Sequence, residues 1–367
     1  MLGKTKTEKM IDKKVWWISN SEKRNITRYK LLEKYYDLIK KEKSDNIKKL
    51  KEEYKNKGMV FLHYSSLFSD MPKYYRMNPK AFLKDISDFK KNMDEEDLVY
   101  LECFLNRVKF IPVECNLEYL VFFNSSLNLI TKEQEMVYFN SEYIYSEYKR
   151  KFDKIDFLGL DHLYFKSGLT YVPKNIIDVQ LKDSIFIDGG GFIGDTAILF
   201  SQYEFNCIYS FEPSKSNFNI MKDNIIKYKK DNIIPCHCGI GDKNGKLYIN
   251  VDDSIDSGAT FLSTQKNESN YVNIVKLDDY LKDRKNRVGL IKLDIEGFEK
   301  NALIGSEKII REDKPILLIS VYHDWVAFGQ MFRIKKWIEN LNLGYKIMFR
   351  FDDISHLMTR CLVCYVE

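Results

Sequence analysis

The stretch Phe186-Ile187-Asp188-Gly189-Gly190-Gly191-Phe192-Ile193-Gly194-Asp195-Thr196 constrains this chain more than any other. A short apolar run ends in an acid, glycines follow, and a helix start comes directly after. Strand, glycine turn and helix in that order bring a ligand against bare backbone at the edge of a parallel sheet. Gly189, Gly191 and Gly194 satisfy the G-x-G-x-x-G pattern of dinucleotide binders. The acid argues against that ligand. A pyrophosphate held at the helix N-terminus would lie beside the Asp188 carboxylate, and like charges a few ångströms apart repel by roughly 4 kcal/mol at an effective dielectric of about 20. S-adenosylmethionine has no phosphate and carries a cationic sulfonium and an ammonium. Asp188, Gly190 and Gly194 are therefore candidate cofactor-binding residues, with Thr196 at the helix start.

The segments that follow keep the rhythm of strand and helix. Cys207-Ile208-Tyr209-Ser210-Phe211 reads as a second strand ending in Glu212-Pro213. An acid about 20 residues beyond the glycine turn is placed to accept hydrogen bonds from ribose hydroxyls, and Pro213 stops strand pairing. Ser214 or Ser216 can cap the next helix, whose Phe218, Met221 and Ile225 recur at helical spacing. A third apolar run, residues 233–240, precedes Asp242, which either accepts from an adenine amine or turns the chain into a hairpin. Ser257-Gly258-Ala259-Thr260 lies in an insertion over residues 246–276, as a loop over the site or a plain surface turn.

Two further strand ends carry chemistry. Leu290-Ile291-Lys292-Leu293-Asp294-Ile295-Glu296-Gly297 is a buried-type strand ending in two carboxylates. Residues 315–321 form another, ending in Tyr322-His323-Asp324-Trp325. In open α/β sheets ligands sit beyond the carboxyl ends of the strands, so Asp294, Glu296 and His323 are the candidate catalytic residues. If a methyl group passes to an alcohol, a base must take the alcohol's proton; His323 titrates near neutrality and Asp294 is the other choice. Acids just inside a helix also stabilise it simply as caps.

Together these segments resemble the FkbM family of S-adenosylmethionine-dependent methyltransferases. The resemblance is carried by the turn from Asp188 to Thr196, Phe211-Glu212-Pro213 with Asn217-Phe218, and Gly241-Asp242 with Gly245. Leu277-Asp278-Asp279-Tyr280-Leu281, Lys292 to Glu299, Gly305-Ser306-Glu307-Lys308 and Ser320-Val321-Tyr322-His323 also match. It covers roughly residues 155–367. It implies O-methylation of a hydroxyl, commonly of a sugar in surface polysaccharide, with S-adenosyl-L-methionine as cofactor. Gly191-Phe192 departs from the family, which often has a small residue and Asn there. The alternatives are a nicotinamide-dependent oxidoreductase and a non-catalytic scaffold that keeps the cofactor fold.

The expected architecture is α/β, a doubly wound, Rossmann-like, seven-stranded methyltransferase sheet. Residues 344–351 and 360–366 form an antiparallel C-terminal hairpin on its edge. Residues 1–150 read as a mainly helical region serving as cap, lid or oligomer contact, and 151–367 as the methyltransferase domain. Residues 158–172 form a connector, read as a strand or edge contact near the cofactor mouth.

Charge is uneven. Up to Gly58 basic side chains outnumber acidic ones two to one, although the whole chain is only +5. The remainder is mildly acidic, which argues against a nucleic-acid surface there. The charged N-terminus lacks the apolar core of an export signal, and no apolar run is long enough to span a bilayer. Seven cysteines, an odd number, fit reduced thiols in cytoplasm. Cys361 and Cys364 sit three apart on a strand and point to opposite faces, so no metal site is expected. Partners are a small-molecule or glycan acceptor, and oligomeric state is left open.

Overall fold

The computed structural model describes residues 5–64, 70–110, 119–152, 159–248, 271–323, 329–352 and 360–367. The 257–260 loop and the pair Asp324-Trp325 lie outside them. The N-terminal part comprises α1 (Lys6–Val15), α2 (Ser21–Lys34), α3 (Tyr36–Asn56), β1 (Val60–Tyr64), α4 (Asp70–Met77), α5 (Pro79–Phe89), α6 (Glu95–Phe110), β2 (Tyr119–Phe123), α7 (Lys132–Phe139) and α8 (Ser141–Lys151). It is mainly helical, as the sequence predicts, with one addition: β1 and β2 pair as an antiparallel two-stranded sheet. The connector is not a strand. It forms the short helix α9 (Leu160–Leu163) and a 3-10 turn, Lys166–Tyr171.

From there strands and helices alternate: α10 (Lys174–Leu181), β3 (Ile185–Gly189), α11 (Asp195–Phe200), β4 (Cys207–Phe211), α12 (Lys215–Lys227), β5 (Ile233–Cys236), β6 (Gly239–Ile240), β7 (Gly245–Tyr248), β8 (Tyr271–Val275), α13 (Leu277–Tyr280), β9 (Val288–Leu293), α14 (Glu299–Ile304), α15 (Glu307–Asp313), β10 (Ile316–Ser320), α16 (Gln330–Asn340), β11 (Lys346–Phe351) and β12 (Arg360–Tyr365). Seven strands form one sheet in the order β11-β12-β10-β9-β3-β4-β5. The β10–β9, β9–β3, β3–β4 and β4–β5 pairs are parallel, while β12 runs antiparallel between β10 and β11. The C-terminal hairpin expected from sequence is present. The apolar run 233–240 is not one strand. Pro235, which cannot donate to a ladder, lies in the edge strand β5, and Gly239 and Ile240 leave to join β8 and β7 in a separate three-stranded sheet.

Both faces of the sheet are covered, so β3, β9 and β10 are near-continuous apolar runs rather than alternating ones. Ile187, Ile291, Leu293, Leu317, Ile319, Phe349 and Phe351 point into one core cluster. Phe186, Ile208, Leu290, Leu318, Val363 and Met348 point into the other. The first cluster also holds Phe82, Ile86 and Phe89 of α5 and Tyr100, Leu101 and Phe104 of α6. A single core therefore crosses residue 150, and α5 and α6 supply part of a layer that later helices leave open. Arg350 of β11 fixes this docking: fully buried, it pairs with Asp97 and reaches Glu96 at 3.0 Å, both on α6.

Candidate active site

Strand order reverses at β3 and β9, the switch point where a doubly wound sheet opens a crevice beyond its strand ends. Asp294 donates its backbone N–H to the Gly189 carbonyl at 3.0 Å. Gly190, at φ +81°, runs so close to β9 that an added Cβ would stand 1.9 Å from the Asp294 carbonyl oxygen. Gly194, at φ +82°, precedes α11 and packs on Met221. The turn is held from β4. Gly190 and Gly191 donate to the Phe211 carbonyl. Glu212 accepts from Phe192 N at 2.9 Å and from Ser214 N at 2.8 Å. Burial pushes the Glu212 carboxyl up to about 7, with both backbone N–H groups opposing the shift.

Asp188 is placed differently from the sequence expectation. It is fully buried, accepts from Ser210 Oγ at 2.8 Å, and faces Lys292 Nζ at 3.4 Å, its register partner on β9. It is a paired inner carboxylate, closed off by Lys292 and Ser210. Burial raises Asp188 above the carboxylate range, against the pull of Lys292. Burial also acts to lower Lys292, but Asp188, Asp294 and Asp195 outweigh it and keep the amine charged. Thr196 is buried at the start of α11, its backbone N–H taken by Asp195 Oδ1 at 2.8 Å. Asp242 is exposed after β6, outside the seven-stranded sheet.

The structure brings the three candidate catalytic residues together. Glu296, at φ +55°, and Gly297, at φ +100°, make a left-handed turn after β9. This turn wraps Ile295 N and Gly297 N onto Glu299 Oε1, at 3.0 and 3.3 Å. Glu299, buried in the first turn of α14, also binds His323 Nδ1 at 2.7 Å and accepts from Gln330 of α16. On its other side His323 Nε2 lies 3.5 Å from Asp294 Oδ1 and 3.6 Å from Glu296 Oε2. Asp294 Oδ1 accepts from the Tyr322 hydroxyl at 2.8 Å. Burial acts to lower the His323 pKa; Glu299, Asp294 and Glu296 overcome it and raise it to about 9. The three carboxylates around His323 thus favour its imidazolium form. Burial acts to raise Asp294, yet Lys292, His323 and the Tyr322 hydroxyl hold it below the usual carboxylate range. Asp294, Glu299 and His323 each offer a ligand atom within 4.8 Å of one another, but the Glu299–His323 hydrogen bond already uses two of those groups.

Beside Asp294 a pocket opens over the ends of β9, β10 and β12. Lys292, Asp294, Tyr322, Asp352 and Arg360 line it from below, and the connector brings Asp161, His162 and Ser167 across it. His162 Nδ1 is 2.9 Å from Ser167 Oγ. Sequence reasoning did not single out His162, Glu299, Gln330 or Asp352. Glu299 carried one legible signal, an acid at a helix start three residues past Glu296; the others sit in no local pattern.

Residues 188–351 match the family described as methyltransferase FkbM domain. No curated protein matches the chain. Among solved structures, the chain is similar to the methyltransferase FkbM from Methylobacillus flagellatus KT. The two are 20% identical at a TM-score of 0.43, over 64% of this chain and 56% of that one. An rRNA methylase from Streptococcus thermophilus is 14% identical at a TM-score of 0.34, over 53% and 93% of the two chains. An O-methyltransferase from Bacillus cereus in complex with SAH is 11% identical at a TM-score of 0.33, over 61% and 100%. The chain spans about half the length of the FkbM structure it matches.

Proposed function

We propose, from the FkbM methyltransferase domain this chain carries, that it transfers the methyl group of S-adenosylmethionine to a hydroxyl, of a sugar in a surface polysaccharide or related glycan. One observation supports this most. The glycine turn held by Glu212 and the Asp294-Tyr322-His323 cluster meet at the β3/β9 switch point, with a polar-lined pocket alongside.

The residues at the turn suit a cationic cofactor. Burial pushes the carboxyl groups of Glu212, Asp188 and Asp195 above their ordinary values, and a positive ligand favours their charged forms. Glu212, Gly190, Gly194 and Thr196 would hold it, with Asp242 toward its adenine. The cofactor supplies an activated methyl on a good leaving group, so the protein's work is alignment and proton removal. Asp294 orients the acceptor by accepting a hydrogen bond from a hydroxyl beside the one that is methylated. Tyr322 and the His323 cation fix its carboxylate, and Glu296 shares the His323 charge. Glu299 and Gln330 lock His323 from behind.

Two measurements test this. SAH raises the melting temperature of the purified protein and NAD(H) does not; the reverse result favours the oxidoreductase alternative. Radiolabel from the methyl donor, carried into a hydroxyl-bearing glycan acceptor, survives mild alkali as an ether. Alkali-labile label means an ester and overturns the hydroxyl assignment.

A further inference from the structure

Four oxygen-bearing side chains stand in single file between the pocket and the outside. Asp352 follows β11, lines the pocket and is buried. The Tyr171 hydroxyl lies 2.9 Å from its Oδ1. The Tyr100 hydroxyl of α6 is 3.2 Å from that of Tyr171. Glu133 Oε2, in the first turn of α7, accepts from Tyr100 at 2.9 Å and is only half-buried. All four lie outside the stretch 188–351 that matches the FkbM domain.

Three contacts need three hydrogens, and two phenols supply two. The third belongs to Asp352 or Glu133. It can pass between them if each oxygen hands its hydrogen to the next, which leaves both phenols neutral at the end. Burial holds both phenols above their ordinary values, so they pass hydrogens without ionising. The Arg350 guanidinium lies over both rings, 4.4 and 4.6 Å from their centroids, and fixes their positions.

We propose that this file is the exit path for the acceptor's proton: Asp352 takes it at the pocket and Glu133 releases one to solvent. The inference rests on the hydroxyl-methylation reading above. As the carbon–oxygen bond forms, the carbon–sulfur bond breaks and its electron pair stays on sulfur. The O–H electron pair stays on oxygen, and the proton goes to the Asp352 carboxylate. Asp352 is faced by Tyr171 of the 3-10 turn, Asp161 of α9, Arg350 of β11 and the Cys361 thiol of β12, at 3.8 Å. Burial and Asp161 push its carboxyl up to about 8, against the other three. A group that titrates near working pH both takes and gives protons readily.

The test follows the Asp352 carboxyl by carbon-13 NMR of the aspartate-labelled full chain, its signal identified by Asp352→Asn. In a shared-proton file a change at the far end alters how Asp352 binds its proton. Glu133→Gln then moves the Asp352 midpoint by roughly half to one pH unit. The same change has no effect when Tyr100→Phe has broken the file, and Tyr171→Phe replaces Tyr100→Phe if the latter does not fold. An unmoved midpoint in the otherwise wild-type chain, or an equal movement with the file broken, overturns the proposal. The SAH melting shift is read on the same samples. Its absence sinks the methyltransferase reading and leaves the file standing, whereas a normal SAH shift with uncoupled titrations sinks the file alone.

Discussion

The two halves of the candidate site are built in opposite ways. The cofactor half is nearly contiguous: residues 188–196 form the turn, and Glu212 on the next strand holds it through backbone N–H groups. The acceptor half is gathered from α6, the connector, β9, β10, β11 and β12, and its contacts run between side chains far apart in sequence. A turn held through its own N–H groups depends on few side chains, Glu212 among them. A pocket held by distant side chains depends on each of them.

The largest effect is expected where the acceptor half meets the N-terminal helices. Arg350→Ala strands Asp97 as a buried, unpaired carboxylate, and breaking such a pair costs roughly 3–5 kcal/mol. Urea unfolding measures it. A loss under about 1 kcal/mol would mean that α6 rests on the sheet loosely and that the halves do not differ as described.

Gly190→Ala comes next and strikes the contact between the halves. A left-handed alanine costs roughly 1–2 kcal/mol, and its Cβ would meet the Asp294 carbonyl at 1.9 Å, adding an overpacking cost of about 1–3 kcal/mol. The expected loss is large for a single methyl group, and it should weaken SAH binding as well. Unchanged stability would show that turn and β9 can separate without cost.

This contrast also explains what the sequence made legible. Gly190, Gly194, Glu212 and Asp294 sit in short patterns at strand ends, where the turn chemistry itself requires them. The alternation of elements after residue 184 exposed the sheet. Asp352, Tyr171, Tyr100 and His162 have no local signature; they become neighbours only when β12 inserts between β10 and β11 and the connector folds back over the strand ends. Asp188 was legible as an acid before the glycines, but its partner Lys292 is set by strand register, which a single sequence does not display. The β1–β2 ladder was hidden for a simpler reason. Two five-residue apolar and aromatic runs read equally as helix segments among long helices.

The pH dependence of stability separates the halves further. His323 rises from 6.5 to about 9 on folding. Its contribution is fully present below pH 6.5 and is lost as pH rises through 9, a change of roughly 3–4 kcal/mol at about 1.4 kcal/mol per unit. Asp352 and Glu212 are carboxyls raised by burial to about 8 and 7. They share that sign, because the folded chain binds their protons more tightly than the unfolded one. Melting curves should therefore fall from pH 6.5 to 9. His323→Gln flattens the part due to the acceptor half; a slope unchanged by that substitution would place its origin elsewhere.

Glu212→Gln is expected to have the smallest effect, and it probes the cofactor half most directly. A carboxylate offers acceptors on both oxygens, and here Phe192 N–H and Ser214 N–H each take one. A glutamine amide fills the same volume but presents one oxygen and one NH2. Whichever way it is turned, one backbone N–H faces another donor, and an unsatisfied buried group costs about 1–3 kcal/mol. Rotation of the amide to its better orientation keeps the loss near the lower end. The substitution should also remove an acceptor from the ribose side, weakening SAH about tenfold, equivalent to about 1.4 kcal/mol. Isothermal titration with SAH separates the two consequences. Lost stability with unchanged affinity would make Glu212 a clamp on the turn alone, whereas lost affinity with unchanged stability would make it a ligand contact that the backbone can do without.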